Sequence, residues 1–351
     1  MVVEAPDVAH MTVGWDQAVA RGRQWLVKQV DRTPAFGAGE VDLNWYCKVP
    51  WALVASGDRD ASLRALGAAY YRFIHPALRP PRETHWTNAV GYALGWLVAA
   101  ACACEAGEIA RNIYARMLEH TCTKTGALQS HPEWFDASIQ GAALHATAAM
   151  GDIPAVRRIG DVMTRFVDDQ PQPDDAIYTH FHPERGYFMD RSRDGAADTS
   201  GRYVFRRGAV NQPLANLGFV MQGLIRVGEV TGDARYTVAA GRLLDRVFAN
   251  HRDDLLAHSQ NHKVGHAAMM LWRHTGREEL FDIAIAIAGR VAHNIQPDGR
   301  ALADVFYDDI SRQAPYFTVR TTCDSVLWLA AMRDELLAAG HRELTPHGGH
   351  P

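Results

Sequence analysis

The chain has 351 residues, 47% of them apolar, and a formal net charge of −4. That is enough apolar length for a substantial core, and the slightly acidic balance excludes the basic footprint of a nucleic-acid binder and the basic face of a membrane-surface protein. Five cysteines, an odd number in no metal-like spacing, argue against a disulfide framework.

The opening MVVEAPDVAH has neither a basic n-region nor an apolar h-region, so the expectation is a cytosolic protein without a signal peptide. Residues 14–30, GWDQAVARGRQWLVKQV, follow as an amphipathic helix. From there two kinds of helix alternate. Segments almost without charge, VPWALVAS, AVGYALGWLVAAACAC, ASIQGAALHATAAM, PLANLGFVMQGLI, VGHAAMMLW and SVLWLAAM, read as helices buried on every side. Each of the first five leads into an amphipathic segment: DASLRALGAAYYRFI, EIARNIYARML, DIPAVRRIGDVMTRFV, DARYTVAAGRLLDRVF and REELFDIAIAIAGRV. Between members of a pair stands a glycine, usually followed by an acid: Gly57-Asp58, Gly107-Glu108, Gly151-Asp152, Gly232-Asp233, and more loosely Gly276-Arg277 and Gly340-His341. Glycine accepts the left-handed conformation past a helix C-terminus, and the acid suits the start of the next helix. Two longer intervals hold insertions, roughly 170–209 and 295–320. No convincing series of alternating strands competes.

Six buried and six amphipathic helices in alternation resemble an (α/α)6 barrel, or toroid, the all-α architecture of six-hairpin glycosidases, sugar epimerases and single-domain terpenoid-cyclase-like proteins. The expected domain spans 11–340, with short tails at 1–10 and 341–351.

If the glycine turns lie at one end of the barrel, all inner helices begin at the other. The segments entering them are DLNWYCK (42–48), RETHWTN (82–88), SHPEWFD (130–136), FRRGAVNQ (205–212), AHSQNHK (257–263) and TVRTTCD (318–324), each polar and most aromatic. Positive dipole ends and free N–H groups converge there, which makes a functional mouth the expectation. The acid–base candidates are Asp42, Tyr46, Lys48, His131, Glu133, Asp136, His262 and Asp324. A carboxyl against aromatic rings, as Glu133 and Asp136 are beside Trp134 and Phe135, has the raised pKa a general acid needs. Candidates for substrate contact are Trp45, His85, Trp86, Trp134, Phe135, Gln212, His258, Lys263, Tyr307 and Arg320. The bland alternatives are helix capping for Asp42, Asn88, Asp136 and Asp324, a salt bridge for Lys48, and barrel packing for the aromatics. Trp51, Trp96, Trp272 and Trp328 lie deeper and are expected in the core. Cys47 and Cys323 enter inner helices and are the candidates for a thiol role. His180 with His182 and His262 with His266 have permissible ligand spacings, but no third ligand follows, so neither metal nor cofactor is expected. Walker, GxSxG and GxGxxG patterns are missing.

The YCK followed by Pro50, the TGD turn and QPDG (296–299) resemble the terpenoid-cyclase-like toroids. The likeness is incomplete: Arg300 and Ala301 follow Gly299, the protonating DxDD motif is missing, and so is a diphosphate-binding aspartate cluster. What it implies is a cofactor-independent lyase, isomerase or cyclase acting by acid–base catalysis on an apolar, terpenoid- or polyketide-like small molecule. The alternative is a carbohydrate-active enzyme, a glycosidase, unsaturated-uronide hydrolase or sugar epimerase, with Glu133 paired with Asp42 or Asp324. A non-catalytic binding toroid is a third reading, which the density of titratable groups disfavours. The partner expected in each case is a small molecule, not a nucleic acid or membrane.

Overall fold

The computed structural model describes residues 8–32, 43, 47–75, 90–129, 135–182, 184–187 and 204–343. Among them twelve α-helices follow in order: α1 (Val8–Arg32), α2 (Val49–Ala55), α3 (Arg59–Phe73), α4 (Val90–Ala103), α5 (Gly107–Leu118), α6 (Ala137–Ala149), α7 (Ile153–Asp168), α8 (Ala215–Thr231), α9 (Ala234–Ala257), α10 (His262–Thr275), α11 (Glu278–Asn294) and α12 (Pro315–Glu343).

The even-numbered helices pack each on the next, and α12 returns to α2, so the inner ring closes. The odd-numbered helices lie outside it, α3 on α2, α5 on α4, α7 across α6 and α8, α9 on α8, α11 on α10 and α1 on α12. This is an (α/α)6 barrel, closed rather than an open solenoid. Composition explains the layering. In α7 the residues Val156, Ile159, Met163 and Phe166 are buried while Arg157, Arg158, Asp161 and Arg165 are exposed, a single apolar stripe at helical spacing. Helix α6 has no such stripe and is buried from Ile139 to Thr147.

The turns follow the glycine-acid pattern with two exceptions. Gly232 and Gly276 take left-handed φ of 69° and 70°. Asp58, Asp152 and Asp233 accept hydrogen bonds from the backbone N–H of Ala61, Ala155 and Arg235. Between α4 and α5, however, the left-handed residue is Glu105, with φ 57°, and Gly107 is the first residue of α5. Gly340 lies within α12 and marks no turn.

The first insertion adds short strands: β1 (Phe135–Asp136), β2 (Ala176–Tyr178), β3 (His180–His182), β4 (Gly186–Tyr187) and β5 (Val204–Arg206). β3 lies between β1 and β4, antiparallel to both, with Phe135 opposite Phe181 and Phe181 opposite Tyr187; β2 pairs antiparallel with β5. No described helix is long and apolar enough to cross a membrane.

Every inner helix sends one ring to a common cluster: Trp51, Trp96, His145, Phe219, His266 and Trp328. Trp51 stacks on Trp96 at 5.4 Å and meets Trp328 edge-on at 5.6 Å. Trp96 lies 5.1 Å from His145 and 4.9 Å from Phe219, and His266 lies 5.4 Å from Trp328. Rings from six surrounding helices can meet only on the axis, so the bore is plugged with aromatic side chains. Trp51, Trp96 and Trp328 are thus core, as expected, whereas Trp272 packs outward on Phe281 at 4.8 Å. Toward the glycine-turn end, Arg273 of α10 bridges Glu335 of α12 at 2.5 Å and Glu229 of α8 at 3.0 Å.

Candidate functional site

At the other end of the axis, where the inner helices begin, four titratable side chains meet. Lys48 is the N-cap residue of α2, His262 and Lys263 open α10, and Asp324 projects from α12. Lys48 Nζ donates to Asp324 Oδ1 at 2.5 Å. Lys263 Nζ donates to Asp324 Oδ2 at 3.0 Å and lies 2.9 Å from His262 Nε2. His262 Nδ1 lies 2.8 Å from the carbonyl oxygen of Ser259. A carbonyl only accepts, so Nδ1 carries the ring proton and Nε2 accepts from Lys263. None of the four is more than 5% exposed.

The local sequence explains these positions. Pro50 sits in the first turn of α2, where its missing N–H costs nothing, and Lys48 is therefore held at the rim of the ring. The Lys263 carbonyl accepts from Gln222 Nε2 at 2.6 Å. Gly218 of α8 lies under the same peptide: a Cβ there would meet the Lys263 carbonyl carbon at 2.5 Å. The Lys48 ammonium lies over three rings, 5.6 Å from Tyr92, 5.9 Å from Trp96 and 5.3 Å from Phe219; Lys263 lies over Phe219 at 5.0 Å.

One carboxylate thus serves two amines in a dry site. Burial would raise the Asp324 carboxyl, but Lys263 and Lys48 hold it far below the usual carboxylate range. Burial would likewise depress Lys48, but Asp324 overrides it, helped by Tyr92 and Cys323, and Lys48 stays protonated beyond the ordinary lysine range. For Lys263 burial wins. Asp324 pulls upward, but Lys48 and Arg320 add to the depression, and the amine falls to about 7. Burial and the neighbouring Lys263 drive His262 well below its usual value, so its ring is neutral. Tyr92 is pushed up to about 12 by burial, with Lys48 opposing and Asp324 reinforcing. Burial also raises the Cys323 thiol well above its ordinary range, so that thiol is no nucleophile at neutral pH.

Of the residues expected at the mouth, Lys48, His262, Lys263 and Asp324 come together, with Arg320 near enough to act on their charges. Asp324 is not a cap: α12 begins nine positions earlier, at Pro315, so TVRTTCD lies inside the helix. Asp136 is a cap, accepting at Oδ1 from Ser138 and Ile139, with Oδ2 3.3 Å from His180. Phe135 is buried against Phe181 and His182, which is packing and not a sugar platform. The Gln212 amide is occupied by the Arg206 and Ala209 backbone. His258 pairs with Asp254 at 3.5 Å, whose carboxylate also accepts from the backbone N–H of Asn211 and Gln212. Gln212 and His258 therefore clamp a loop onto α9. Tyr307 packs on Phe317 at 5.7 Å. Asp42, Trp45, Tyr46, His85, Trp86, His131, Glu133 and Trp134 lie outside the described residues. Tyr92 and Phe219 were missed, because aromatics inside an apolar run carry no signal that separates them from core. Ser259, which orients His262, was missed as well.

His266 diverges from His262 toward Glu335, 3.9 Å away. Among the described residues no group of three His, Cys, Asp or Glu side chains could hold a metal ion. A cavity of about 300 Å³ lies away from the axis, between α7 and β3–β4, lined by Phe166, Phe181, His182 and Tyr187.

Fold and site together define an (α/α)6 barrel with a plugged bore and a charged cluster at the inner-helix N-terminal end. Solved structures share that fold. The GH76A α-1,6-mannanase of Salegentibacter sp. HEL1_6 superposes with a TM-score of 0.64 at 12% identity, over 92% of this chain and 99% of that one. An unsaturated glucuronyl hydrolase specific for heparin gives 0.60 at 12%, over 92% and 97%. A D-mannose isomerase gives 0.59 at 12%, over 84% and 87%. No family model matches the sequence, and no curated protein does.

Proposed function

We propose that the protein is a carbohydrate-active enzyme that interconverts reducing sugars by proton transfer at the Lys48–Asp324–Lys263–His262 cluster. The observation that carries this reading is a single carboxylate held between two amines beside a neutral imidazole, at the end of the barrel where the inner helices begin. The three neighbours, a mannanase, an unsaturated glucuronyl hydrolase and a D-mannose isomerase, favour sugars over the apolar substrate that the terpenoid-cyclase resemblance implied. The aromatic plug points the same way: the rings that would wall an apolar pocket are packed on one another.

Within carbohydrate chemistry the cluster favours isomerisation over hydrolysis. A glycosidase needs a protonated carboxylic acid at the scissile bond and a second carboxylate across from it. Asp324, tied to two amines, stays ionised and cannot supply that proton. Lys263 near neutrality can both take and return one, which moving a proton between the carbons flanking a sugar carbonyl requires. Asp324 and Lys48 would fix its orientation and polarity.

The test is to incubate the protein with D-mannose, D-fructose, D-glucose and N-acetylhexosamines and follow products by NMR, with α-mannosides and unsaturated uronides assayed for hydrolysis in parallel. A new aldose or ketose, lost in Lys263→Met, supports the proposal. Hydrolysis without isomerisation overturns it in favour of a glycosidase.

A further inference from the structure

We propose that Lys263 is a nucleophilic amine that forms an imine with the carbonyl carbon of an open-chain reducing sugar. This rests on the carbohydrate reading above and gives Lys263 a covalent role in place of the proton transfer, which passes to the neutral His262 Nε2 that lies 2.9 Å from Lys263 Nζ.

The first support is charge. Among the described residues, two ammonium groups and one carboxylate, with His262 neutral, leave a surplus of positive charge in a buried site, and Arg320 acts in the same direction. Burying an unpaired charge costs several kcal/mol as an order of magnitude, and the inexpensive remedy is for one lysine to lose its proton. Geometry says which. Lys48 holds the shorter bond to Asp324, 2.5 Å against 3.0 Å, and lies over three aromatic rings where Lys263 lies over one. Lys48 is the cation, and Lys263 is the free amine beside it. A lysine activated by burial and a neighbouring cation is a general route to carbonyl-attacking nucleophiles.

The second support is direction. A neutral amine has two hydrogens and one lone pair. The bonds from Lys263 Nζ to His262 Nε2 and Asp324 Oδ2 use both hydrogens, leaving the lone pair as the remaining tetrahedral position. That lone pair adds to the sugar carbonyl carbon, and the carbonyl oxygen takes up the proton released from nitrogen, giving a carbinolamine. Departure of the hydroxyl with the second N–H proton as water completes the imine. The balance is amine plus carbonyl giving imine plus water, with no oxidant or reductant. One further proton from solvent gives an iminium facing Asp324, already positioned as its counter-ion.

The chain has only four lysines, and Lys28 and Lys124 are exposed, so they serve as internal controls. The full chain is incubated at mildly alkaline pH with D-glyceraldehyde, D-mannose or D-fructose and sodium cyanoborohydride, and its peptides are read by mass spectrometry, with isomerisation followed separately. The expected result is a reduced sugar adduct on Lys263, enriched about tenfold or more over Lys28 and Lys124, and missing in a folded Lys263→Arg variant. Modification of Lys28 and Lys124 without enrichment at Lys263 overturns the imine. If isomerisation proceeds in that case, the carbohydrate reading stands and only the covalent step falls. An adduct on Lys263 without turnover of any sugar supports the nucleophile and counts against the isomerase.

Discussion

Asp324 is the residue on which the site balances. Replacing it with Asn leaves Lys48 buried without a counter-charge, and removal of one partner of a buried pair costs about 3–5 kcal/mol. Asp324→Asn should therefore lower the urea midpoint markedly. Lys263→Met should cost less: it leaves the Lys48–Asp324 pair intact and neutral overall, and loses the hydrogen bonds to Asp324 Oδ2 and His262 Nε2, so stability should fall by about 1–3 kcal/mol while activity disappears. The acid side of the pH profile follows from Lys263. In the proposed mechanism its neutral form is the active one, its amine is lowered by burial to about 7, and the charged groups acting on it are Asp324, Lys48 and Arg320, with the neutral His262 in contact. Initial rates should climb with pH and level off above about 7; a rate that falls across that interval would contradict this assignment. Much of this set was legible from sequence, since Lys48, His262, Lys263, Arg320 and Asp324 all flank the starts of apolar runs. What sequence could not tell is which way a polar side chain turns. Asp136, Gln212 and His258 stand at equivalent places and spend their hydrogen bonds on their own backbone or a neighbouring loop. Nor does the order His-Lys reveal that these two share a hydrogen bond, or that one carboxylate serves two lysines.

At the level of elements, the ring is set by small residues where inner helices touch. Gly218→Ala would drive a Cβ to 2.5 Å from the Lys263 carbonyl carbon, and backbone does not yield as a side-chain tip would. Overpacking of this kind costs about 1–3 kcal/mol, and the shift falls on the peptide that carries Lys263. Gly218→Ala should therefore lower both thermal stability and turnover, read by calorimetry and the isomerisation assay together. Asp152→Ala, which removes a helix cap and the acceptor of the Tyr114 hydroxyl on the far rim, should cost about 1–3 kcal/mol and leave turnover unchanged. The helices themselves were readable because charge separates inner from outer so cleanly: α7 shows its stripe and α6 shows none. The strands of the first insertion were not, since β1 and β4 have two residues each and two residues establish no alternation. The extra turns of α12 were hidden too, because residues 315–324 carry Arg320 and Asp324 on what became the ring's inner helix.

Across the whole molecule, closure and the plug leave the two ends of the barrel for polar clusters. The bore is filled from Trp51 around to Trp328, and burial with nearby Arg226 and His266 lowers His145 to about 3, so this ring stays neutral as the packing requires. The salt bridges of Arg273 with Glu229 and Glu335 tie three inner helices at the opposite end, leaving the inner-helix N-terminal end for the site. That division was predictable from the placement of the glycine turns; the convergence of one ring from every inner helix was not, because it depends on the phase of each helix. The most direct test of the account is to incubate reducing sugars in heavy water with the protein and read the carbon next to the carbonyl by NMR. The account predicts deuterium incorporation at that carbon with the native chain and none with a folded Lys263→Met variant. Equal incorporation in both, or none with any reducing sugar, would contradict it.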